Sequence, residues 1–212
     1  ETREGIIKHS SEYDGGRSPE LQAYHPEWRP TLEAQIIDLA DEIAYNNHDI
    51  DDGIKAGLIC PDELDGVTLW RETSEIVDRK YPGLQQDRKI YQTISHLIGI
   101  FIDDLVATTR TRLADLDIVT LDQVRCQPKN LVCFSADLQI KNRELKQFLF
   151  HHLYRHHKVE RMRIKADRFL TQLFQTYRQN PTLLPRPYQQ KFDLYGLERV
   201  ICDYIAGMTD RF

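Results

Sequence analysis

The sequence is short of what secreted, membrane-spanning and β-rich chains need. Its four cysteines, Cys60, Cys126, Cys133 and Cys202, are scattered, with no C-x-x-C pair. That argues against a disulfide framework and for reduced thiols, read as small buried hydrophobes in a cytoplasmic protein. No apolar run reaches the ~20 residues of a bilayer span, so no membrane partner is expected. The charged start, ETREGIIKHS, is unlike a secretory leader. It has no initiating Met, and Glu1 falls inside a helical pattern, so the sequence reads as a piece of a longer chain. No alternating strand pattern holds anywhere, and no internal repeat is visible. One sign of charge is also missing locally: between Arg29 and Lys55 stand seven acids and no Lys or Arg.

What is present is helical. The 212 residues, 41% hydrophobic and 29% charged, suit a soluble globular protein of one large domain or two small ones. Residues 1–9 read as the end of a helix and 10–30 as a loop rich in Gly, Pro and Ser. Thr31 is a plausible N-cap for a helix from Leu32 to His48 that continues, with a kink, towards Leu58. Pro61 opens a short helix, and Val67–Lys80 forms another, stopped by YPG. Residues 85–115 form a long helix whose apolar middle predicts a buried core position. A connector over 117–134 holds one short helix. Ser135 caps a helix running on through NRELKQFLFHHLYRHH, and another covers 159–179. NPTLLPRP breaks the chain before a last helix at about 194–208. The fold class is all-α, and the connector is the predicted boundary between two helical layers, residues 1–116 and 117–212.

Charge is unevenly spread. Residues 141–168 hold nine Lys and Arg against three acids, which leaves −11 elsewhere from a net −5. Such asymmetry points to an anionic partner for the basic segment or to a partner subunit. The block fits a solvated or interfacial face, a phosphate or effector contact, or, as a secondary reading, nucleic acid stacked on Phe148, Phe150 and Tyr154. Phe148 and Phe150 fit a core or subunit contact better. Within it, HHLYRHH sets His152 and His156 at i, i+4, a spacing that chelates zinc or nickel, but no acid or cysteine lies nearby to complete a site.

The stretch ADEIAYNNHDIDD concentrates the acids. On a wheel of about 100° per residue, Leu32, Ile36, Leu39, Ile43, Ile50 and Ile54 form the predicted core stripe. Asp38, Asp41, Tyr45, Asp49 and Asp52 fall opposite. Asp41, Tyr45 and Asp49, at i, i+4 and i+8, line up in one row. A solvated face is one reading. The other is a metal or phosphate site, because unrelieved like charges repel and a divalent cation relieves them. His48 and Asp49 are no metal doublet: on the wheel they diverge by roughly 100°.

The segment PTLEAQIIDLADEIAYNNHDIDDGIKAGLI resembles the part of the dGTPase-like HD-domain deoxynucleoside triphosphate triphosphohydrolases that carries their last metal-binding aspartate. REGIIKH, DRKIYQTISHLIGIFIDDLV and VICDYIAGMTDRF are similar to that family too. The resemblance implies that 1–116 is the C-terminal part of an HD phosphohydrolase domain and 117–212 an associated helical domain. It implies hydrolysis of a deoxynucleoside triphosphate to deoxynucleoside and triphosphate, with a divalent metal such as Mg²⁺ or Mn²⁺, in a homo-oligomer. Asp41 matches the last metal ligand, and Tyr45 and Asp49 match positions facing sugar and phosphates. Tyr91 resembles a second nucleotide-facing tyrosine, and Arg88, Lys89 and Lys8 are phosphate candidates. The family's early His, His-Asp doublet and catalytic His/acid group have no counterpart here, so no catalytic residue is assigned and the piece alone is expected to be inactive. A helical regulatory or nucleic-acid-binding module without catalysis is the alternative.

Overall fold

Helices start where the sequence supplies side-chain oxygens. Thr31 Oγ1 accepts from the Ala34 amide at 3.4 Å and opens a helix over Leu32–Lys55. Ser135 Oγ accepts from Leu138 N at 3.3 Å and opens Ala136–Leu149. Each satisfies one amide of a helix first turn that has no partner within the helix. The computed structural model describes residues 2–8 and 23–209, and among these there is no strand. The helices are α1 (Thr2–Lys8), α2 (Leu32–Lys55), α3 (Pro61–Leu64), α4 (Thr68–Lys80), α5 (Gln86–Asp115), α6 (Leu121–Arg125), α7 (Ala136–Leu149), α8 (His157–Gln179), α9 (Arg186–Gln189), α10 (Phe192–Tyr195) and α11 (Leu197–Ala206). The all-α expectation holds.

The Cα packing divides the chain between Leu153 and Tyr154. In the first unit α5 packs on α4 and on α2, and α7 packs on the same two helices. By length and composition α5 could cross a membrane. Here it buries Ile90, Ile94, Leu97, Phe101 and Leu105 in the core instead. Trp70 and Val77 of α4 and Leu138, Leu145 and Leu149 of α7 fill the same core. Each such side chain contributes about 2 kcal/mol of burial. Helix α2 approaches closely at Gly53, where a Cβ would lie 2.6 Å from Ile59 Cδ1.

Two expectations change in this unit. The predicted core stripe of α2 is only partly buried: Ile43 and Ile50 are inside, but Ile36 is exposed. The buried face is turned towards Gln35, Asn46, Asn47 and Gly53. These polar side chains go inside because each has work there. Gln35 Oε1 accepts from the Leu131 and Val132 amides at 2.8 and 3.1 Å, and its Nε2 donates to Pro30 O at 2.8 Å. Asn46 Nδ2 donates to Asn142 Oδ1 at 3.4 Å, joining α2 to α7. The connector 117–134 is therefore stitched into the first unit rather than separating two layers. The cysteines also differ from expectation. Cys60, Cys126 and Cys202 are exposed and Cys133 is half-buried, all four free. Cys60 and Cys126 sit at helix caps, where the chain turns at the surface.

The helix through HHLYRHH is not continuous. Helix α7 ends at Leu149, residues Phe150–Tyr154 form a π-turn, and α8 begins at His157. His152 stacks on Phe148, with ring centroids 4.1 Å apart, while His156 caps α8 through its ring nitrogen. A helical i, i+4 pair therefore does not form. In the second unit Phe174 and Tyr177 of α8 pack on Leu184, Val200 and Ile201, with Tyr188 and Tyr204 alongside. Gly196, at φ 82°, makes the turn between α10 and α11 in a conformation that other residues rarely adopt.

Candidate metal and nucleotide site

Helix α2 presents the acidic row to solvent. Asp41 and Tyr45 are exposed and Asp49 is half-buried. Glu42, beside the row, turns towards α7, where Oε1 accepts from Asn142 Nδ2 at 2.8 Å and pairs with Lys146 at 3.2 Å. One acid of the stretch thus serves packing while Asp41 stays outward. His48 is exposed and Asp49 half-buried, in keeping with their divergence on the helix.

A second tyrosine comes near the C-terminal end of this helix. Tyr91, in the first turns of α5, is half exposed, and Lys55 Nζ lies 5.3 Å from its ring centroid. Lys55 also donates to Asp51 Oδ2 at 2.6 Å. The Asp51 hydrogen bond, with support from Tyr91, holds the Lys55 amine above its ordinary range despite some desolvation. Lys55 was absent from the sequence candidates. Its signal was there: it is the first cation after the seven-acid stretch, one turn beyond Asp51.

The remaining candidates lie elsewhere. Lys89 pairs with Asp78 of α4 at 2.8 Å. Arg88 is exposed, with no ion pair among the described residues. Lys8 is buried: it pairs with Glu4 at 2.9 Å and donates to Trp28 O at 3.2 Å. Arg125 reaches the other Glu4 oxygen at 2.6 Å. Burial alone would raise the Glu4 carboxyl; the hydrogen bonds from Lys8 and Arg125 outweigh it and hold the group below its ordinary range.

Among the described residues no three His, Cys, Asp or Glu side chains gather to hold a metal ion. Asp41 alone does not make a cation site, so the donor set present does not fit a resident metal without ligands from elsewhere.

Comparison with known proteins gives the geometry its context. Residues 132–212 match the phosphohydrolase-associated domain. Over its full length the chain is 58% identical to a deoxyguanosinetriphosphate triphosphohydrolase-like protein of Geobacter sulfurreducens, covering 55% of that relative. It is 56% identical to the Geobacter metallireducens protein of the same description, covering 55% of it. The chain is similar over its full length to proteins described as deoxyguanosinetriphosphate triphosphohydrolase-like. The Thiobacillus denitrificans member is 45% identical, with 56% of its length covered. The chain thus spans about half the length of the curated relatives it matches. Its acidic row lies outside the span of the phosphohydrolase-associated domain, within the part shared with the longer relatives.

Proposed function

We propose that this chain is part of a deoxynucleoside triphosphate triphosphohydrolase of the dGTP type, which converts the nucleotide and water to deoxynucleoside and triphosphate. The observation that carries the reading is the outward row of Asp41, Tyr45 and Asp49 on α2, in a chain whose relatives bear triphosphohydrolase-like names. Asp41 is the ligand this chain contributes to a divalent cation, Mg²⁺ or Mn²⁺, whose other ligands come from the rest of the protein. Such a cation neutralises charge on the phosphate that water attacks. Tyr45 and Asp49 hold the sugar and the phosphate-proximal edge, the phenol by stacking or hydrogen bonding and the carboxylate by accepting hydroxyl protons. Tyr91 and Lys55 flank the row, and Arg88 is free to turn towards a phosphate. Lys89 and Lys8 are engaged with Asp78 and Glu4, and serve phosphate only by leaving those partners. Self-association of the chain belongs to the same reading.

The test is Asp41→Ala in the longer protein that carries this chain, with Asp52→Ala on the same exposed face as the control. Asp41→Ala lowers kcat on dGTP by at least about 100-fold and lowers bound metal measured by emission spectroscopy, because even residues that only support metal ligands are worth about 10- to 100-fold. Asp52→Ala leaves both unchanged. Full activity and metal content in the Asp41 variant would sink this reading and favour the non-catalytic helical module.

A further inference from the structure

The acidic row has a second row beside it. Glu42 and Asn46 follow Asp41 and Tyr45 by one residue each, about 100° round α2, and so stand one turn apart on the side that meets α7. There they reach Asn142, which is buried. Asn142 Nδ2 donates to Glu42 Oε1 at 2.8 Å, and its Oδ1 accepts from Asn46 Nδ2 at 3.4 Å. Lys146, one turn further along α7, pairs with the same Glu42 oxygen at 3.2 Å. Only one orientation of the Asn142 amide fits: a carboxylate only accepts, so the NH₂ points at Glu42 and the oxygen at Asn46.

Apolar packing does not fix this part of α2. Between Ala34 and Ile50 the helix has one buried apolar side chain, Ile43, while Ile36 and Ile37 are exposed. Apolar contact is non-directional, and a single isoleucine leaves the helix free to roll about its axis. Hydrogen bonds are directional, and two of them to one side chain set the roll. The roll matters on the outward face. With side chains reaching about 5–6 Å from the helix axis, a turn of only about 5° carries an outward carboxylate roughly 0.5 Å, the tolerance of a working site. Helix α7 is fastened well enough to be the reference. It buries Leu138, Leu145 and Leu149. Two more of its side chains bind α4: Glu144 accepts from Thr68 N at 3.2 Å and from Thr68 Oγ1 at 3.3 Å, and Lys141 pairs with Glu72 at 2.8 Å. Helix α7 also lies inside the stretch that matches the phosphohydrolase-associated domain, whereas α2 lies outside it.

We propose that Asn142 is a positioning residue: through Glu42 and Asn46 it sets the roll of α2 and so places Asp41, Tyr45 and Asp49 against their nucleotide. This role rests on the triphosphohydrolase reading of that row. It gives the associated domain a part in the site without Asn142 touching substrate.

The experiment is a polarity swap in the longer protein that carries this chain. Asn142→Asp removes the donor and sets a second carboxylate against Glu42; it lowers kcat/KM on dGTP by about 10- to 100-fold, the scale of an ångström-sized misplacement. Adding Glu42→Gln restores both hydrogen bonds with one reversed, the new amide donating to the new carboxylate and Asn46 still donating to it. The double variant returns to within about threefold of wild type, which marks the pair as coupled. Glu42→Ala, at a half-buried position, moves kcat/KM in the same direction as Asn142→Asp and replaces it if that variant does not fold. Val77→Ala, which opens a cavity in the core at α4, lowers the melting temperature and leaves kcat/KM unchanged. Every assay is run below the melting range found by circular dichroism. Activity of Asn142→Asp within about twofold of wild type, no recovery in the double variant, or an equal loss from Val77→Ala overturns the proposal. A wild-type protein that hydrolyses no dGTP, or a fully active Asp41→Ala, instead sinks the reading of the row, and the role of Asn142 with it.

Discussion

Glu4 is a carboxylate at the start of the chain held by two cations, one on its own helix and one 121 residues away. The i, i+4 partner Lys8 could be read from spacing alone. Arg125 could not, because nothing local links it to α1, and so Lys8 looked available for phosphate when it is committed to the interior. Removing one member of a buried ionic set leaves the others uncompensated, so Glu4→Gln costs about 3 kcal/mol at neutral pH in a denaturant titration. The sign with pH follows from the carboxyl being held below its ordinary range when folded. Its contribution is complete above the unfolded-state pKa of about 4.3 and is lost as pH falls through the lower folded value. The gap between wild type and Glu4→Gln therefore narrows on acidification; a gap constant from pH 7 down to pH ~3 contradicts the assignment. The row of Asp41, Tyr45 and Asp49 was legible for the opposite reason, since helical periodicity is a local property.

At the scale of elements, α2 shows where periodicity stops informing. The apolar residues of α2 suggested a stripe centred on Ile36, yet the helix turns Gln35 inward to meet two backbone amides of the connector. A chain segment without its own secondary structure must find partners for its buried amides, and here one side-chain carbonyl supplies both. The predicted boundary at 116/117 rested on the connector's irregular composition, which says nothing of what its backbone bonds to. Gln35→Leu keeps the bulk and strands the Leu131 and Val132 amides and the Pro30 carbonyl. The expected loss is about 3 kcal/mol, or a melting temperature lower by roughly 6–12 °C. A loss below about 0.5 kcal/mol means those groups find water at no cost.

At the scale of the molecule, the two units are unequal in core. The first buries side chains from all seven of its described helices, among them Trp70, Leu97 and Phe101. The second, Tyr154–Phe212, centres on Leu184, Val200 and Ile201 with tyrosines packed around them. So small a core supports only a few kcal/mol of stability. Native-state hydrogen exchange is expected to be faster at Val200 and Ile201 of α11 than at Leu97 and Phe101 of α5, with a difference in protection of at least about tenfold. Equal protection means that the whole chain opens as one. The all-α class was readable at this scale because no stretch alternates; the division at Leu153/Tyr154 was not, because the π-turn that spans it carries ordinary helical residues.

The aromatic residues are divided in the same way, and this gives the chain two intrinsic optical signals. Both tryptophans, Trp28 and Trp70, belong to the first unit, one stacked over His25 and the other deep in the core. The second unit has none; its chromophores are tyrosines, with Tyr177 and Tyr188 meeting Tyr204 edge-on at centroid distances of 5.5 and 4.8 Å. Indole emission therefore reports the first unit and is blind to the second, whose loosening registers in tyrosine absorbance and near-UV dichroism. A melting curve followed through tryptophan alone describes the first unit of this protein and leaves α8 unseen.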